Sequence, residues 1–501
     1  MTTTTETTDS PSTEPSTQAP PARDTGSQRY RAVWRWHFYA GLLVAPIVLI
    51  LAITGSIYLF KDPFEAWRYS DVQTLSAPVT SPRPLSEQIA AAQATRPGVL
   101  VKSVIPPSAP DRTTRVILEG AESGPYAEGI SVYVNPGTAK VIGEIDDSAT
   151  FMRVVRTIHG ELLAGTVGDR IVETAACWAL ILTATGVYLW WRGPARKRTP
   201  RPAPRSGTAR TGRVARSRLR RVHALTGVFS GAIVVFLIMT GLPWSGVWGD
   251  NLQKVQTATG STSPDSAAFA RESTVPAKLS GELSDNPDAK VPWAAERLPV
   301  PESNDGGHAG HHAASGGLQP GALPVEQAVA AGRAAVGPCA PPDCTIKIML
   351  PDGPKGVYTV VKESRVDPAA GRTVHIDQYS GRALVSFGWE EYGLMAKAVE
   401  QGIALHEGRR YGVVNLIVML AACLSLIALV ITGAWMWWKR RPTGRVGAPA
   451  RPTDRRTTLG VIAIMAVLGL LFPLAGITML AFLLLDLLVL RRIPALRRAF
   501  G

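Results

Sequence analysis

Four of the eight histidines stand in surroundings that the chain writes twice. His37 follows Trp34-Arg35-Trp36 and precedes Gly41 at +4 and Thr54-Gly55 at +17 and +18. His223 follows Arg220-Arg221-Val222 and precedes Gly227 and Thr240-Gly241 at the same offsets. His159 leads to Thr185-Gly186 at +26 and +27 and then to Trp190-Trp191-Arg192; His406 repeats this with Thr432-Gly433 and Trp437-Trp438-Lys439. Agreement at this many positions marks an internal duplication. Imidazole titrates, hydrogen-bonds and ligates metals, and at the end of an apolar segment it is costly to desolvate without a partner. Three chemistries are open to such a set: ligation of iron porphyrin, ligation of a non-haem metal, or bonding to headgroups and backbone at the membrane interface.

The elements that must position these side chains are membrane helices. The 501-residue chain has a formal net charge of +14, and its mean hydropathy is above zero. Long uncharged runs place it among polytopic α-helical membrane proteins. The cations cluster beside those runs, where Lys and Arg set orientation, so the charge reads as topology and no nucleic-acid partner is expected. Residues 1–28, rich in Thr, Ser and Pro, form a tail expected to be disordered and cytoplasmic; they lack the apolar core of a signal peptide. Crossings are expected in 29–60, 151–192 (with the His159 segment), 222–247 and 391–439 (with the His406 segment). The stretch Arg192–Arg221 carries twelve Lys or Arg and no acid, so the loop 193–221 belongs in the cytoplasm. After a second cytoplasmic loop, 440–457, the apolar stretch 458–492 is too long for one upright crossing and is interrupted by Pro473. It reads as a hairpin of two short crossings, leaving 493–501 as a cytoplasmic tail. The expectation is six crossings of the cytoplasmic membrane with both termini inside.

Two regions then lie outside, 61–150 and 322–390, the second reached through a Gly-, Ser-, Asp- and Pro-rich linker at 248–321. Each opens with an alanine-rich helix, after Pro84 and after Pro324, and continues in alternating strands that end in a hairpin turning at Asn135-Pro136-Gly137 or near Tyr379-Ser380-Gly381. One helix on a small antiparallel sheet buries such a segment. The expected fold is a bundle of duplicated two-helix units plus a C-terminal helix pair, carrying two extracytoplasmic α+β domains. Cys177 and Cys423 lie in apolar runs as packing residues. Cys339 and Cys344 fall on the oxidising side, where a small disulfide loop is expected.

Helix-then-hairpin domains of this kind resemble PepSY domains. The histidine-bearing helices with Thr-Gly and Trp-Trp ends resemble the PepSY-associated transmembrane (PepSY-TM) family, over about residues 30–440. The resemblance implies an iron-regulated inner-membrane protein, some members being haem-containing ferric-siderophore reductases.

Duplication sets the first and third helices face to face, pairing His37 with His223 near the cytoplasm and His159 with His406 near the outer face. Two bis-histidine pairs are what one or two b-type haems would need as axial ligands to iron. On a helix turning about 100° per residue, +4 lies about 40° from the histidine and +18 returns to its azimuth. Gly41 and Gly55 thus share the face of His37, and Gly227 and Gly241 that of His223, either admitting a flat macrocycle or serving close helix packing. Trp190, Trp191, Trp437 and Trp438 read as an interfacial aromatic belt. His308, His311 and His312 could bind a metal loosely or belong to a solvated loop. His375, the counterpart of Tyr133, is expected at the surface of its strand. No Gly-x-Gly-x-x-Gly, Walker or His-Glu-x-x-His motif is present, so electrons would come from a quinol or a cytoplasmic flavoprotein. The leading expectation is a membrane electron-transfer protein, an oxidoreductase passing electrons outward to a ferric siderophore or another Fe(III) species. The alternatives are a non-enzymatic scaffold whose domains bind a peptide or restrain a protease, and an iron or siderophore transport component.

Overall fold

The computed structural model describes residues 25–120, 129–192, 207–259, 321–340, 343–442 and 455–490, with short stretches at 261, 291–303 apart from 297 and 299, 446–447, 449 and 492–494. Most of the expected tail, the centre of the basic loop and most of the linker, including His308, His311 and His312, lie outside the described residues.

Helix α1 (Thr25–Tyr58) is followed by two short helices, α2 (Lys61–Arg68) and α3 (Ser70–Gln73). Exposed Phe60 and Trp67 flank or lie on α2, and Phe64 packs on Phe151. These aromatic side chains suit a helix lying along a membrane surface. Helix α4 (Leu85–Gln93) precedes strands β1 (Val101–Ile105), β2 (Thr114–Leu118), β3 (Ile130–Asn135) and β4 (Lys140–Asp146). Helix α5 (Phe151–Glu161) then carries the chain back to α6 (Gly165–Arg192). Between them Leu162 and Leu163 adopt left-handed backbone, with φ of 51° and 56°. A Cβ on Gly168 would overlap the carbonyl of Glu161, so this corner closes only around a glycine.

The second repeat follows the same plan. Helix α7 (Gly207–Gly241) leads to α8 (Gly246–Ala258), and α9 (Val325–Val336) precedes β5 (Cys344–Met349), β6 (Val357–Ser364), β7 (Arg372–Asp377) and β8 (Ala383–Gly388). Helix α10 (Leu394–His406) returns to α11 (Val413–Arg440). Cys339 and Cys344 form a disulfide at the head of β5, as expected.

Among the described residues, four helices are long and apolar enough to cross a membrane: α1 from Gln28, α6, α7 from Arg218, and α11. They form a ring in which α1 packs on α6 and α11, and α7 on the same two, so α1 and α7 stand diagonally across the bundle. Helices α12 (Arg455–Leu471) and α13 (Pro473–Leu485) are shorter and fold into a hairpin at Pro473. Gly469 and Gly476 meet there so closely that a Cβ on Gly476 would stand 2.7 Å from the Gly469 Cα. The hairpin braces the first repeat: Trp178 Nε1 donates to Thr478 Oγ1 at 3.0 Å, and Phe472, Ala475 and Met479 are buried with Trp178, Ala40 and Val44.

The strands do not form two separate domains, as their spacing along the chain suggests. They join in one antiparallel sheet of order β4-β3-β2-β1-β5-β6-β7-β8, fused where Ser103 and Val104 of β1 pair with Met349 and Ile348 of β5. Pairing the two inner strands removes a pair of exposed edges, the usual hazard of small sheets. Both helices cover one face, and the backbone N–H of Ser86 donates to Glu326 Oε1 at 2.7 Å between them. Val104, Val116, Val132, Ile348, Val360 and Val374 fill that core. The other face turns toward the bundle, and in the second half it is closed by Val291, Ala295, Leu298, Tyr392 and Ala396 around Phe387.

That cover corrects the reading of His375. It is fully buried, bonds Thr359 Oγ1 through Nδ1 at 2.9 Å, and packs near Phe387. Burial pushes its pKa down to about 3. The surface expectation rests on the counterpart Tyr133, which is itself buried; in the second half the cover comes from Val291, Ala295 and Leu298 of the linker together with Tyr392 and Ala396.

Candidate functional site

All four repeated histidines lie in the bundle or against its sheet-side end, and each meets the Thr-Gly pair on another helix of its own repeat. Nδ1 of His37 on α1 stands 2.9 Å from Thr185 Oγ1 on α6. Nδ1 of His159 on α5 stands 2.9 Å from Thr54 Oγ1 on α1. The second repeat has the same pattern, with His223 2.9 Å from Thr432 and His406 3.0 Å from Thr240. The glycine after each threonine lets the ring approach: a Cβ would sit 3.3 Å from His37 Cε1 at Gly186, 3.3 Å from His159 Cε1 at Gly55, 3.5 Å from His223 Cε1 at Gly433 and 3.4 Å from His406 Cε1 at Gly241.

The hydrogen bonds assign the tautomer. Each threonine hydroxyl has one proton and a backbone carbonyl four residues earlier to receive it: Ile50 at 2.8 Å from Thr54, Ile181 at 2.7 Å from Thr185, Phe236 at 2.8 Å from Thr240 and Ala428 at 2.6 Å from Thr432. Toward the imidazole the hydroxyl must then accept, so Nδ1 carries the proton. Nε2 is left in every case with its lone pair, and no described residue hydrogen-bonds it. A histidine with Nδ1–H tied to an acceptor and Nε2 bare is in the form that ligates a metal.

The histidines also pair across the repeats. His37 and His223, on the diagonal helices α1 and α7, lie close enough to interact electrostatically, and so do His159 and His406. Among the described residues no three His, Cys, Asp or Glu gather into a metal-holding cluster; the arrangement is one of pairs. Trp244 stands edge-on to the His406 ring, 6.2 Å between centroids. Because Thr54-Gly55 lies at +18 from His37, close to five full turns of helix, both histidines of a repeat face the same side of α1. The two pairs are therefore stacked along the bundle axis.

The glycines divide into two kinds. Gly55 and Gly241 back the outer imidazoles, as Gly186 and Gly433 back His37 and His223, whereas a Cβ on Gly41 or Gly227 would touch only Leu182 or Leu429, at 3.8 and 3.5 Å. The last two are placed for helix packing. Sequence alone marks the four threonines as repeated without giving them a role; their fixed place before a glycine was the available signal. At the end of the bundle away from the sheet, tryptophans and cations interleave: Arg440 stacks on Trp34 at 4.7 Å, Arg441 on Trp438 at 3.9 Å and Lys439 on Trp435 at 5.4 Å.

The family model for the PepSY-associated TM region matches residues 34–440. The chain belongs to that family. The match runs from Trp34, three residues before the first histidine, to the cations that end α11, so all four PepSY-TM histidines fall inside it and the α12–α13 hairpin lies beyond it. No curated protein matches this PepSY-TM chain.

Proposed function

We propose that this PepSY-TM protein is a haem-carrying electron-transfer protein of the cytoplasmic membrane, with His37 and His223 holding one b-type haem and His159 and His406 a second. The observation that carries the reading is the matched tautomer: four imidazoles in two facing pairs, each Nδ1 tied to a threonine and each Nε2 left as a donor. Apolar walls and closely backed rings fit a flat ligand between helices. Haem, when bound, supplies a one-electron carrier. The chain's own residues fix ring orientation through Thr54, Thr185, Thr240 and Thr432, and the apolar bundle around them excludes water. The acceptor that suits the family is a ferric siderophore or another Fe(III) species, since one electron gives Fe(II), which hard-oxygen chelators hold less tightly. The donor would be a quinol or a cytoplasmic flavoprotein.

The orientation proposed places the sheet outside and the basic end in the cytoplasm. It is supported by the cations at the end away from the sheet and by the Cys339–Cys344 disulfide on the sheet side, where an oxidising compartment would keep it. Purified from haem-sufficient cells, the protein is expected to show a Soret band that sharpens and shifts on reduction. His159→Ala or His406→Ala should remove about half of the haem, read by the pyridine haemochrome assay, and His37→Ala the other half. A colourless wild-type preparation would overturn the reading. It would favour a scaffold instead, for which the outermost strands β4 and β8 offer sheet edges that could take an added peptide strand.

A further inference from the structure

Three residues before each inner histidine the two repeats carry different side chains, Trp34 before His37 and Arg220 before His223. Three residues are less than one helical turn, about 4.5 Å of rise, so both positions lie just beyond the inner pair toward the basic end. Helix α11 packs on α1 and on α7 and ends at Arg440. Its guanidinium lies over the Trp34 ring, 4.7 Å from the centroid. The stack brings a second guanidinium to the level that Arg220 occupies on the diagonal helix. The duplication does not supply this cation twice. Aligning Trp437-Trp438-Lys439 with Trp190-Trp191-Arg192 sets Gly193 opposite Arg440, so both arginines belong to the second repeat and the first contributes the ring.

Arg220 and Arg440 are close enough to repel, and Arg440 also feels the Tyr30 phenol. A ring face holds a cation in place without carrying a charge to balance it. The helix segments around the inner pair bring no carboxylate: residues 25–60, 174–249 and 408–453 contain no Asp or Glu. Among the described residues neither arginine forms an ion pair. Retention of cations on the cytoplasmic side accounts for their number, and the C-terminal dipole of α11 favours one at Arg440. Neither effect draws a guanidinium from α7 toward another on α11, which costs repulsion unless an anion lies between them. Both side chains are exposed, so an anion held there stays in contact with water at the mouth of the bundle and keeps its charge.

Resting on the haem reading above, we infer that Arg220 and Arg440, the second set in place by Trp34, hold the propionates of the haem seated between His37 and His223. Guanidinium matches a carboxylate in charge and in its planar fork, and a porphyrin carries both propionates on one edge. Cations at the basic end turn that edge toward the basic end and fix which way round the ring sits.

The test compares haem with its dimethyl ester, in which both propionates are blocked. Each is titrated into the haem-stripped, full-length His159→Ala or His406→Ala protein, whose remaining site is the inner pair, and binding is followed by the Soret band. Haem is expected to bind about tenfold or more tightly than the ester, as for loss of hydrogen bonds to charged groups. In the Arg220→Gln, Arg440→Gln double variant acid and ester should bind alike, as weakly as the ester binds the parent. Trp34→Phe, which keeps a ring beneath Arg440, should preserve the preference for the acid and Trp34→Ala should reduce it. Lys439→Gln, the same loss of charge at the same end, should leave it intact. In a redox titration each arginine variant should lower the inner midpoint potential, because a nearby cation disfavours the ferric state. Equal binding of haem and ester by the parent, or the same change with Lys439→Gln, overturns the inference and leaves haem ligation standing. Acid and ester binding alike, with an affinity that follows the phosphatidylglycerol content of nanodiscs, overturns it too and assigns the arginines to lipid headgroups. Failure of the wild type to take up haem at all overturns both this inference and the haem reading.

Discussion

Each threonine here does two jobs with one hydroxyl, donating to its own helix and accepting from an imidazole. Removing the hydroxyl keeps the helix and untethers the ring. On the haem proposal, Thr185→Val is therefore expected to weaken haem retention at the His37 pair about 10- to 100-fold, the usual cost of losing an outer-shell partner, and Thr185→Ser to restore it; haem titration of the stripped protein measures both. The glycines separate by the same logic. Gly186→Ala puts a Cβ 3.3 Å from the His37 ring and Gly41→Ala one 3.8 Å from a leucine methyl, so the first should lower haem occupancy and the second should not. His375 predicts a pH effect. Its folded pKa of about 3 lies below the roughly 6.5 of an unfolded histidine, so the unfolded chain binds more protons between those values. Stability is full above pH 6.5 and falls as pH drops toward 3, by roughly 1.4 kcal/mol per pH unit at most. His375→Gln should flatten that part of the melting profile in thermal unfolding from pH 7 to 4. Of these residues, the four histidines were legible because duplication makes spacing informative. The partner of each was not, because one helix's periodicity shows which residues share a face and not which helix meets it.

The elements were legible wherever a local pattern decides them. The span Val101–Ile105 and the onset of β6 at Val357 follow from alternation alone, and α4 and α9 start directly after Pro84 and Pro324. What spacing along the chain could not give is the pairing of β1 with β5, because the two strands are separated by two membrane helices and a linker. That junction makes the halves of the sheet one body, with Val104 and Ile348 fully buried side by side beneath both covering helices. Val104→Asp places a carboxylate in that shared core, at a cost of about 3 kcal/mol or more. Protection from hydrogen exchange should then fall in β6 and β7 as well as in β2 and β3. Loss confined to the first half would mean the halves fold independently. The corner at Leu162–Gly165 was likewise unreadable, since it depends on how α5 packs against α1 and α6.

At the scale of the whole molecule, the duplication and the diagonal placement of α1 and α7 together put one histidine pair near the sheet and one near the basic end. On the electron-transfer proposal, the order in which electrons would meet the pairs is thus set by which end faces the cytoplasm. The Trp-cation stacks at Trp34, Trp435 and Trp438 anchor one end of the bundle at an interface, and α2 with its exposed Trp67 marks the other. Cations are retained on the cytoplasmic side of the bilayer, and on that ground the orientation proposed here puts the first end inside. An impermeant maleimide added to intact cells should label Thr80→Cys, exposed beside the sheet, and should label Pro442→Cys, exposed after α11, only after the membrane is permeabilised. The native Cys339–Cys344 pair should stay silent to the reagent until it is reduced. The opposite labelling pattern would put the sheet and the His159 pair in the cytoplasm, where a disulfide is not maintained, and electrons would then enter at the sheet-side pair and leave at the basic end.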